Sequence, residues 1–373
     1  MQFVKRIALI MPVMAIFLVS CAAPRAKTPD IGEAEVKQEQ KRQRMLVIES
    51  NIQDQARLMD VMYDIIKRTT SFCENRAMFS GFFFVAKGFY KDEEYREAAV
   101  ELFDLRDHPK VAHVVPRSPA EKAGMRVGDE IVLVEGKLVP NKPEEMKEMI
   151  ESLPRGRDSI SMTVNRDGTP ISIKMEQLEC CNYGVQLLPK EQINAATDGE
   201  RIYVTKGLLR FVRNDTELAA VISHEMAHCV RGHVQMKIAN QAVGGFAGLL
   251  LDVASVIVTG YWYDFFGLGR DIGKIAYSKS MEREADYVSL YIMAIAGYDY
   301  NAAPNFYRRL ASADPKSIEK SFALTHPSTP ERFIAMEKAV KEINDKKSKG
   351  LPLVPEEKPV PAPETVYPDE EDF

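Results

Sequence analysis

The pattern of apolar and polar positions changes several times along this chain. From about Met45 to Thr70, apolar residues recur every three or four positions, which predicts one long amphipathic helix. Farther along, Ile160–Val164 and Ile171–Met175 flank Arg166-Asp167-Gly168, which predicts a β-hairpin. Helical and strand patterns therefore occupy separate runs, as in an α+β protein.

The two ends of the chain carry patterns of their own. Lys5 and Arg6 precede an apolar run, so residues 1–20 are interpreted as a signal peptide. The run ends in Leu-Val-Ser-Cys21, which resembles a bacterial lipobox with Cys21 as the lipidation site. By resemblance to Gram-negative lipoproteins, this predicts an outer-membrane anchor facing the periplasm. Residues 21–45 are expected to be a flexible tether, and residues 346–373 a disordered, acidic, proline-rich tail.

Composition narrows the class of protein. The chain has 373 residues and a formal net charge of -5, which argues against a nucleic-acid partner. Its five cysteines exclude a disulfide-dense small scaffold. A mostly non-membrane, multi-domain protein remains.

One central segment resembles a PDZ domain of the bacterial protease type. The resemblance rests on Val114–Met125 and Val127–Val134, where a strand, a short helix, a glycine turn and a buried strand follow one another. The predicted insert covers residues 75–178, with its core at 108–178. PDZ domains bind peptides or C-termini by adding a strand to a sheet edge. We assign the carboxylate-binding loop to Ser80–Phe84.

The second half contains the pattern His-Glu-x-x-His at His224, Glu225 and His228. Asn214 or Asp215 is placed to cap the helix that carries it. Histidines four residues apart lie about 40° from each other around a helix, so both imidazoles reach one point. Glu225 lies beside that point. This is the zinc helix of metallopeptidases, with Glu225 as general base.

A zinc hydrolase needs a third protein ligand, and two sequence patterns are known to supply one. The metzincin pattern requires Gly and His where this chain has Arg231 and Val234, so it fails. His233 lies nine residues after His224, about 180° around a straight helix, and is expected to pack on the opposite side.

The gluzincin pattern instead takes a glutamate from a later helix in Glu-x-x-x-Asp. Glu282 and Asp286 supply it, with Glu282 as metal ligand and Asp286 accepting the free N–H of a zinc histidine. Glu284 is the competing ligand, but it has no aspartate four residues later.

These motifs resemble the HtpX-like and CAAX-prenyl-protease-like zinc metallopeptidases, closest to periplasmic lipoproteins related to the β-barrel-assembly-enhancing protease. The order of the matching segments is Asn194–Ala196, Arg201–Leu209, the zinc helix, the Glu-x-x-x-Asp helix and Thr325–Arg332. The resemblance implies an α+β fold: a mainly helical gluzincin domain with a small edge sheet, plus an inserted β-rich PDZ domain. The peptidase part is expected to comprise a helix at 46–74 and residues 179–345.

The resemblance also implies a chemistry. One Zn²⁺ per chain activates water, and His326 or Arg332 stabilises the oxyanion; in some relatives the equivalent histidine instead closes the open metal position. Peptides would pair with an edge strand near residues 193–197. The expected substrates are unfolded or unassembled envelope proteins, with peptide ligands at the PDZ domain. The alternative is a chaperone-like or PDZ scaffold lipoprotein with a structural zinc site.

Two further features have structural consequences. Both ends of a PDZ insert must lie close together, which favours a disulfide from Cys73 to Cys180 or Cys181 in an oxidising periplasm. The apolar run Val243–Val258 is short for a membrane span and contains Asp252. It is interpreted as a core helix or lid, with a membrane-touching or partner-binding surface as the alternative.

Overall fold

The computed structural model describes residues 26, 28–151, 158–243, 277–313, 326 and 329–358. In these ranges the helices are α1 (Glu33–Ile66), α2 (Glu93–Phe103), α3 (Pro119–Lys122), α4 (Pro143–Glu151), α5 (Lys206–Phe211), α6 (Asp215–Val230), α7 (His233–Val243), α8 (Lys279–Ala296), α9 (Ala303–Ala313) and α10 (Pro330–Ser348). The strands are β1 (Arg76–Phe79), β2 (Phe82–Val85), β3 (Lys110–Val114), β4 (Glu130–Val134), β5 (Lys137–Leu138), β6 (Ser159–Arg166), β7 (Thr169–Glu176), β8 (Leu178–Cys181), β9 (Gly184–Leu188), β10 (Ala195–Thr197) and β11 (Arg201–Thr205).

Helix α1 begins at Glu33, so the expectation of a flexible tether was wrong for residues 33–45. That segment is polar, but its Glu, Gln, Lys and Arg residues all have high helix propensity. Its scarcity of apolar residues therefore predicts a mostly exposed segment, but it does not exclude a helix. The helix also ends at Ile66, before the predicted Thr70, and a 3₁₀ turn follows at Thr70–Phe72.

The central segment forms a sheet with strand order β2-β3-β4-β6-β7, and β5 pairs with β4. The predicted hairpin is confirmed: β6 and β7 are antiparallel, with Ile160 opposite Met175 and Val164 opposite Ile171. Ser118 caps α3 by accepting a hydrogen bond from the Glu121 N–H group. Apolar side chains of the sheet and its helices form a separate core between them.

Strand β2 forms one edge of that sheet and is buried on both faces. Phe82 and Phe84 lie in the core of the central segment, whereas Phe83 belongs to the main core, which α1 shares. Successive strand side chains point to opposite faces, so the continuous apolar run Phe82–Val85 reflects burial on both sides. Around this strand, the His113 imidazole lies 2.7 Å from Asp60 of α1. The sheet is therefore packed directly on α1.

Gly81 turns the chain from β1 into β2. Its φ is +89°, and a Cβ at this position would lie 2.2 Å from the Ser118 side chain, so the turn requires glycine. The Gly81 carbonyl accepts hydrogen bonds from the Val115 N–H and the Ser118 hydroxyl. The predicted carboxylate-binding loop thus lies at the start of the edge strand, which is where such a loop would be needed.

The central segment joins the rest of the chain through a short neck. There β1 and β8 pair antiparallel, with Arg76 opposite Cys181. Of the two pairings that the sequence left open, the structure contains Cys73–Cys181, which closes a loop across 108 residues. Cys180, beside it, is a buried free thiol.

The remaining residues form a three-stranded sheet, ordered β10-β11-β9, and a group of helices. Helices α6, α8 and α10 contribute to the main core together with α1. Strand β10 lies at the edge of its sheet, and the Thr197 hydroxyl is 3.0 Å from the Cys229 thiol of α6. The edge strand therefore lies next to the helix that carries His-Glu-x-x-His.

The C-terminal segment is ordered farther than the sequence predicted. Helix α10 continues to Ser348, and Leu353 packs against the main core. The Glu356 N–H donates a hydrogen bond to the Tyr287 hydroxyl at 2.9 Å. The expected disorder was therefore wrong for residues 346–358, because Leu353 packs against the main core and hydrogen bonds join the segment to Tyr287 of α8 and Lys346 of α10.

Several predictions concern residues outside the described ranges. They are the signal peptide, Cys21, residues 244–258 of the apolar run and residues 359–373 of the tail. Within the described ranges, every helix is too short or too polar to span a bilayer.

Candidate metal centre

Helix α6 brings the two histidines into the protein interior. Asn214, one of the two predicted caps, accepts a hydrogen bond from the Glu217 N–H at 3.0 Å and starts the helix. Every residue from Leu218 to Cys229 is buried, which is unusual for a helix with two imidazoles and a carboxylate. The Nε2 atoms of His224 and His228 are 3.2 Å apart, as the i, i+4 spacing predicts.

Helix α8 brings the predicted glutamate to the same point. Ser278 caps this helix by accepting from the Met281 N–H. Glu282 is fully buried, with Oε1 3.4 Å from His228 Nε2 and Oε2 3.5 Å from His224 Nε2. Glu284 lies elsewhere, beside His233 and Arg231. The structure therefore places Glu282, and not Glu284, in the cluster.

His326 completes the group. Its Nδ1 is 2.9 Å from Glu282 Oε1 and 3.3 Å from His224 Nε2. One potential ligand atom each from His224, His228, Glu282 and His326 lies within 4.8 Å of all the others. Four ligand atoms from three separate parts of the chain thus converge on one point.

The donor set fits a divalent cation. Three ring nitrogens and a carboxylate place several lone pairs close together. The few protons in the cluster cannot form a hydrogen bond to every lone pair, whereas a metal ion binds all of these lone pairs. Around the cluster, the buried charged side chains of the described residues are the carboxylates of Glu225, Glu282 and Asp286 and the guanidinium of Arg332. Two positive charges are needed to neutralise such a group, and burying it without them is costly.

Behind His224, a buried ion pair fixes the imidazole. His224 Nδ1 lies 3.1 Å from Asp286 Oδ1. Arg332 binds Asp286 through Nε and Nη2, each at 2.7 Å, and its Nη1 lies 2.8 Å from Glu282. Burial alone would raise the pKa of Asp286, but Arg332 and His224 together outweigh burial and lower it. The carboxylate therefore stays ionised and orients His224.

These contacts change the interpretation of Arg332. The sequence offered it as an oxyanion donor, but its Nε and both Nη atoms face the carboxylates of Asp286 and Glu282. Its side chain is also buried. The arrangement favours an anchoring function for Arg332 and leaves His326 as the candidate that faces the reacting groups.

Glu225 lies beside the cluster, as predicted for a general base. Its Oε1 is 3.3 Å from His326 Nε2, and its Oε2 has no hydrogen-bond partner among the described residues. Burial raises the pKa of this carboxyl. A buried carboxylate with a vacant acceptor oxygen and a raised pKa is suited to take a proton from water.

The expectation that His233 lies on the opposite side of the helix was wrong. Helix α6 ends at Val230, the chain turns at Gly232 with φ +64°, and α7 starts at His233. The turn brings His233 Nδ1 to 2.9 Å from His228 Nδ1. The angular argument assumed a straight helix, although Gly232 is a common helix-stop signal.

Tyr277 was missed by the sequence reasoning. Its ring stacks on His228 with 3.8 Å between ring centres, and the side chain is buried. The sequence signal was the position of Tyr277 immediately before Ser278, which caps α8. At this position its side chain lies against α6, on which α8 packs.

The geometry first points to a class: a buried His-Glu-x-x-His helix joined by a glutamate from a later helix is the arrangement found in gluzincin metallopeptidases. The family comparison agrees, since residues 158–340 match the model of Peptidase family M48 and residues 110–166 match a PDZ domain. These two matches confirm the resemblance predicted from the motifs: a gluzincin of the M48 type with an inserted PDZ domain.

Curated relatives carry related names. The chain is 34% identical over 154 residues to the mitochondrial metalloendopeptidase OMA1 of Schizosaccharomyces pombe, covering 40% of this chain and 44% of that protein. It is 30% identical over 157 residues to the beta-barrel assembly-enhancing protease of Yersinia pestis, covering 39% and 32%. The protein of the same name in Escherichia coli is 28% identical over 161 residues, covering 39% and 32%. The matches thus span less than half of each relative.

The anchoring function of Arg332 is testable through stability. We expect Arg332→Ala to lower the free energy of unfolding of the chelator-treated protein by about 3–5 kcal/mol, because it leaves Asp286 and Glu282 buried without their cation. Urea denaturation measures this loss.

Arg308→Ala is the matched control. Arg308 pairs with Glu337 at 2.6 Å on the surface, where both side chains are more than a third exposed. We expect a loss below about 1 kcal/mol. Equal losses in the two variants would contradict the anchoring function.

Proposed function

We propose that this protein is a zinc-dependent endopeptidase of the bacterial cell envelope that hydrolyses misfolded or unassembled envelope proteins. The observation that carries the proposal is the convergence of His224, His228 and Glu282 beside the unpartnered Oε2 of Glu225. A structural metal site has no use for a buried carboxylate with a free acceptor oxygen. The names of the relatives, a metalloendopeptidase and a beta-barrel assembly-enhancing protease, support the reaction and the substrate class.

His224, His228 and Glu282 would hold the zinc ion, which would lower the pKa of a water molecule to about 7 and polarise the scissile carbonyl. Glu225 takes the proton of the attacking water and then delivers it to the leaving amine nitrogen. Asp286, held by Arg332, keeps the Nδ1 proton of His224 directed away from the metal side. The chain's own residues thus supply the base, the acid and the orientation.

Substrate binding is proposed along β10. This strand is antiparallel to β11 on one side and forms the sheet edge on the other, next to α6. A peptide that pairs with an edge strand binds through its backbone, so its sequence matters little. That mode suits unfolded substrates. We further propose that the PDZ domain holds substrate or regulatory peptides along the outer edge of β2.

The sequence left two functions open for His326: stabilisation of the oxyanion and closure of the open metal position. We propose that His326 closes the metal site at rest. Its Nδ1 points at the ligand atoms while its Nε2 faces the general base Glu225. Both nitrogens thus engage groups that catalysis needs. Displacement of this ring would open the metal to substrate and free Glu225.

His326→Ala therefore should raise proteolytic activity, by up to about tenfold, since it removes the cost of displacing the ring. Cleavage of casein measures the change, and the double variant His326→Ala with Glu225→Gln should be inactive. A fall in activity of about 10²–10³-fold would instead assign oxyanion stabilisation to His326.

The general base has its own test. Glu225→Gln should retain one bound metal ion but lose about 10²–10⁴-fold in the rate of cleavage of casein or an unfolded porin, because the amide cannot take the proton. Chelator should abolish wild-type cleavage, and zinc should restore it. Glu191→Gln, an exposed glutamate that pairs with Arg210, is the control. If wild type, Glu225→Gln and chelated protein behave alike, the scaffold alternative is correct.

Envelope location is proposed to depend on a lipid anchor at Cys21. In a Gram-negative host, Cys21→Ser should abolish incorporation of labelled palmitate and move the protein from the membrane fraction to the soluble periplasmic fraction. Cys229→Ser, which changes a buried thiol of α6, should keep the label. Labelling that persists in Cys21→Ser would contradict the anchor.

A further inference from the structure

Each histidine of the cluster has one nitrogen facing the ligand atoms and one facing away. The outward nitrogen of His224 meets Asp286, and that of His326 meets Glu225. Among the described residues, no carboxylate meets the outward nitrogen of His228. This nitrogen lies 2.9 Å from Nδ1 of another imidazole, His233, which is 1% exposed.

Proton positions in this pair follow from the geometry. His228 Nε2 faces Glu282 and His224 Nε2, so a metal ligand there must keep its lone pair on Nε2 and its proton on Nδ1. That proton can only be donated to a lone pair on His233 Nδ1. His233 must therefore carry its own proton on Nε2, which lies 3.4 Å from Glu284 Oε2.

We propose that His233 is a positioning residue for the metal site: together with Glu284, it fixes the tautomer and orientation of His228. The inference rests on the metal-binding part of the proposed function and goes beyond it, since it assigns a function to two side chains that touch neither metal nor substrate. Outer partners of this kind raise the basicity of a ligating imidazole.

Glu284 needs an intermediary because of its place on α8. It lies two residues from Glu282, about 200° around the helix, so it points away from the ligand cluster. Its side chain is 47% exposed and its Oε1 is 3.5 Å from Nε of Arg231. His233 fills the distance between this half-exposed carboxylate and the buried His228. The Gly232 turn that ends α6 makes this possible.

The test distinguishes a hydrogen-bond acceptor function of His233 from an effect of its side-chain volume. His233→Leu keeps an apolar side chain but offers no acceptor to His228, and we expect the Kd for Zn²⁺ to rise about 10–100-fold. His233→Asn places an amide oxygen near the former Nδ1 position and should recover most of the affinity. Competition with a chromophoric chelator measures the Kd. The visible absorption spectrum of Co²⁺-loaded protein should change in His233→Leu and return towards wild type in His233→Asn.

Two further variants complete the design. Glu284→Ala changes a half-exposed side chain, so folding is not at risk, and it should raise the Kd up to about tenfold. His113→Asn is the matched control, because His113 pairs with Asp60 between the PDZ sheet and α1; it should leave metal affinity unchanged.

The inference is wrong if His233→Leu binds Zn²⁺ as tightly as wild type with an unchanged Co²⁺ spectrum. Equal losses in His233→Leu and His233→Asn would also overturn it, since side-chain volume would then explain them, and so would an unchanged Kd in Glu284→Ala. A wild-type protein that binds no Zn²⁺ would overturn the proposed function together with this inference. Metal binding without proteolysis would overturn only the proposed function.

Discussion

The burial of charge between α6 and α8 is the constraint on which the site depends. Three carboxylates and three imidazoles meet in the interior, where an unpaired ion is far more costly than at the surface. Arg332 offsets part of the buried negative charge, because its guanidinium binds Asp286 with two nitrogens and Glu282 with the third. Because its planar guanidinium fits both carboxylates at once, α10 fixes the side chains of α8, and α8 in turn fixes those of α6.

The PDZ domain is not a loosely tethered module. Phe83 of its edge strand lies in the main core, and His113 is hydrogen-bonded to Asp60 of α1. The Cys73–Cys181 bridge joins the two ends of the neck. A sheet that is packed on α1 and joined to the main core has little freedom to turn. A peptide added to β2 would therefore lie in a fixed place relative to α1.

The sequence was informative where a pattern is local and strict. The i, i+4 spacings predicted which faces His224, His228, Glu282 and Asp286 share, and the turn residues Arg166-Asp167-Gly168 between two apolar runs predicted the β6–β7 hairpin. It failed where a local signal was misinterpreted, and it left open what only tertiary packing decides. Residues 33–45 carry no apolar pattern, so propensity alone decided their helix. His233 was misplaced because one glycine ended the helix, and no local rule chooses between the adjacent Cys180 and Cys181.

The pKa values of His224 and His228 are shifted in opposite directions. Burial disfavours a charged imidazole at both positions. At His224, the hydrogen bonds to Asp286 and Glu282 outweigh burial and raise the pKa to about 10. At His228, burial outweighs the hydrogen bond to Glu282, the neighbouring His224 and His326 also disfavour a charged ring, and the pKa falls to about 3. Without a cation, the excess negative charge of the cluster therefore draws a proton to His224 first. A metal ion and a proton compete for Nε2 of His224, so metal binding must weaken as the pH falls.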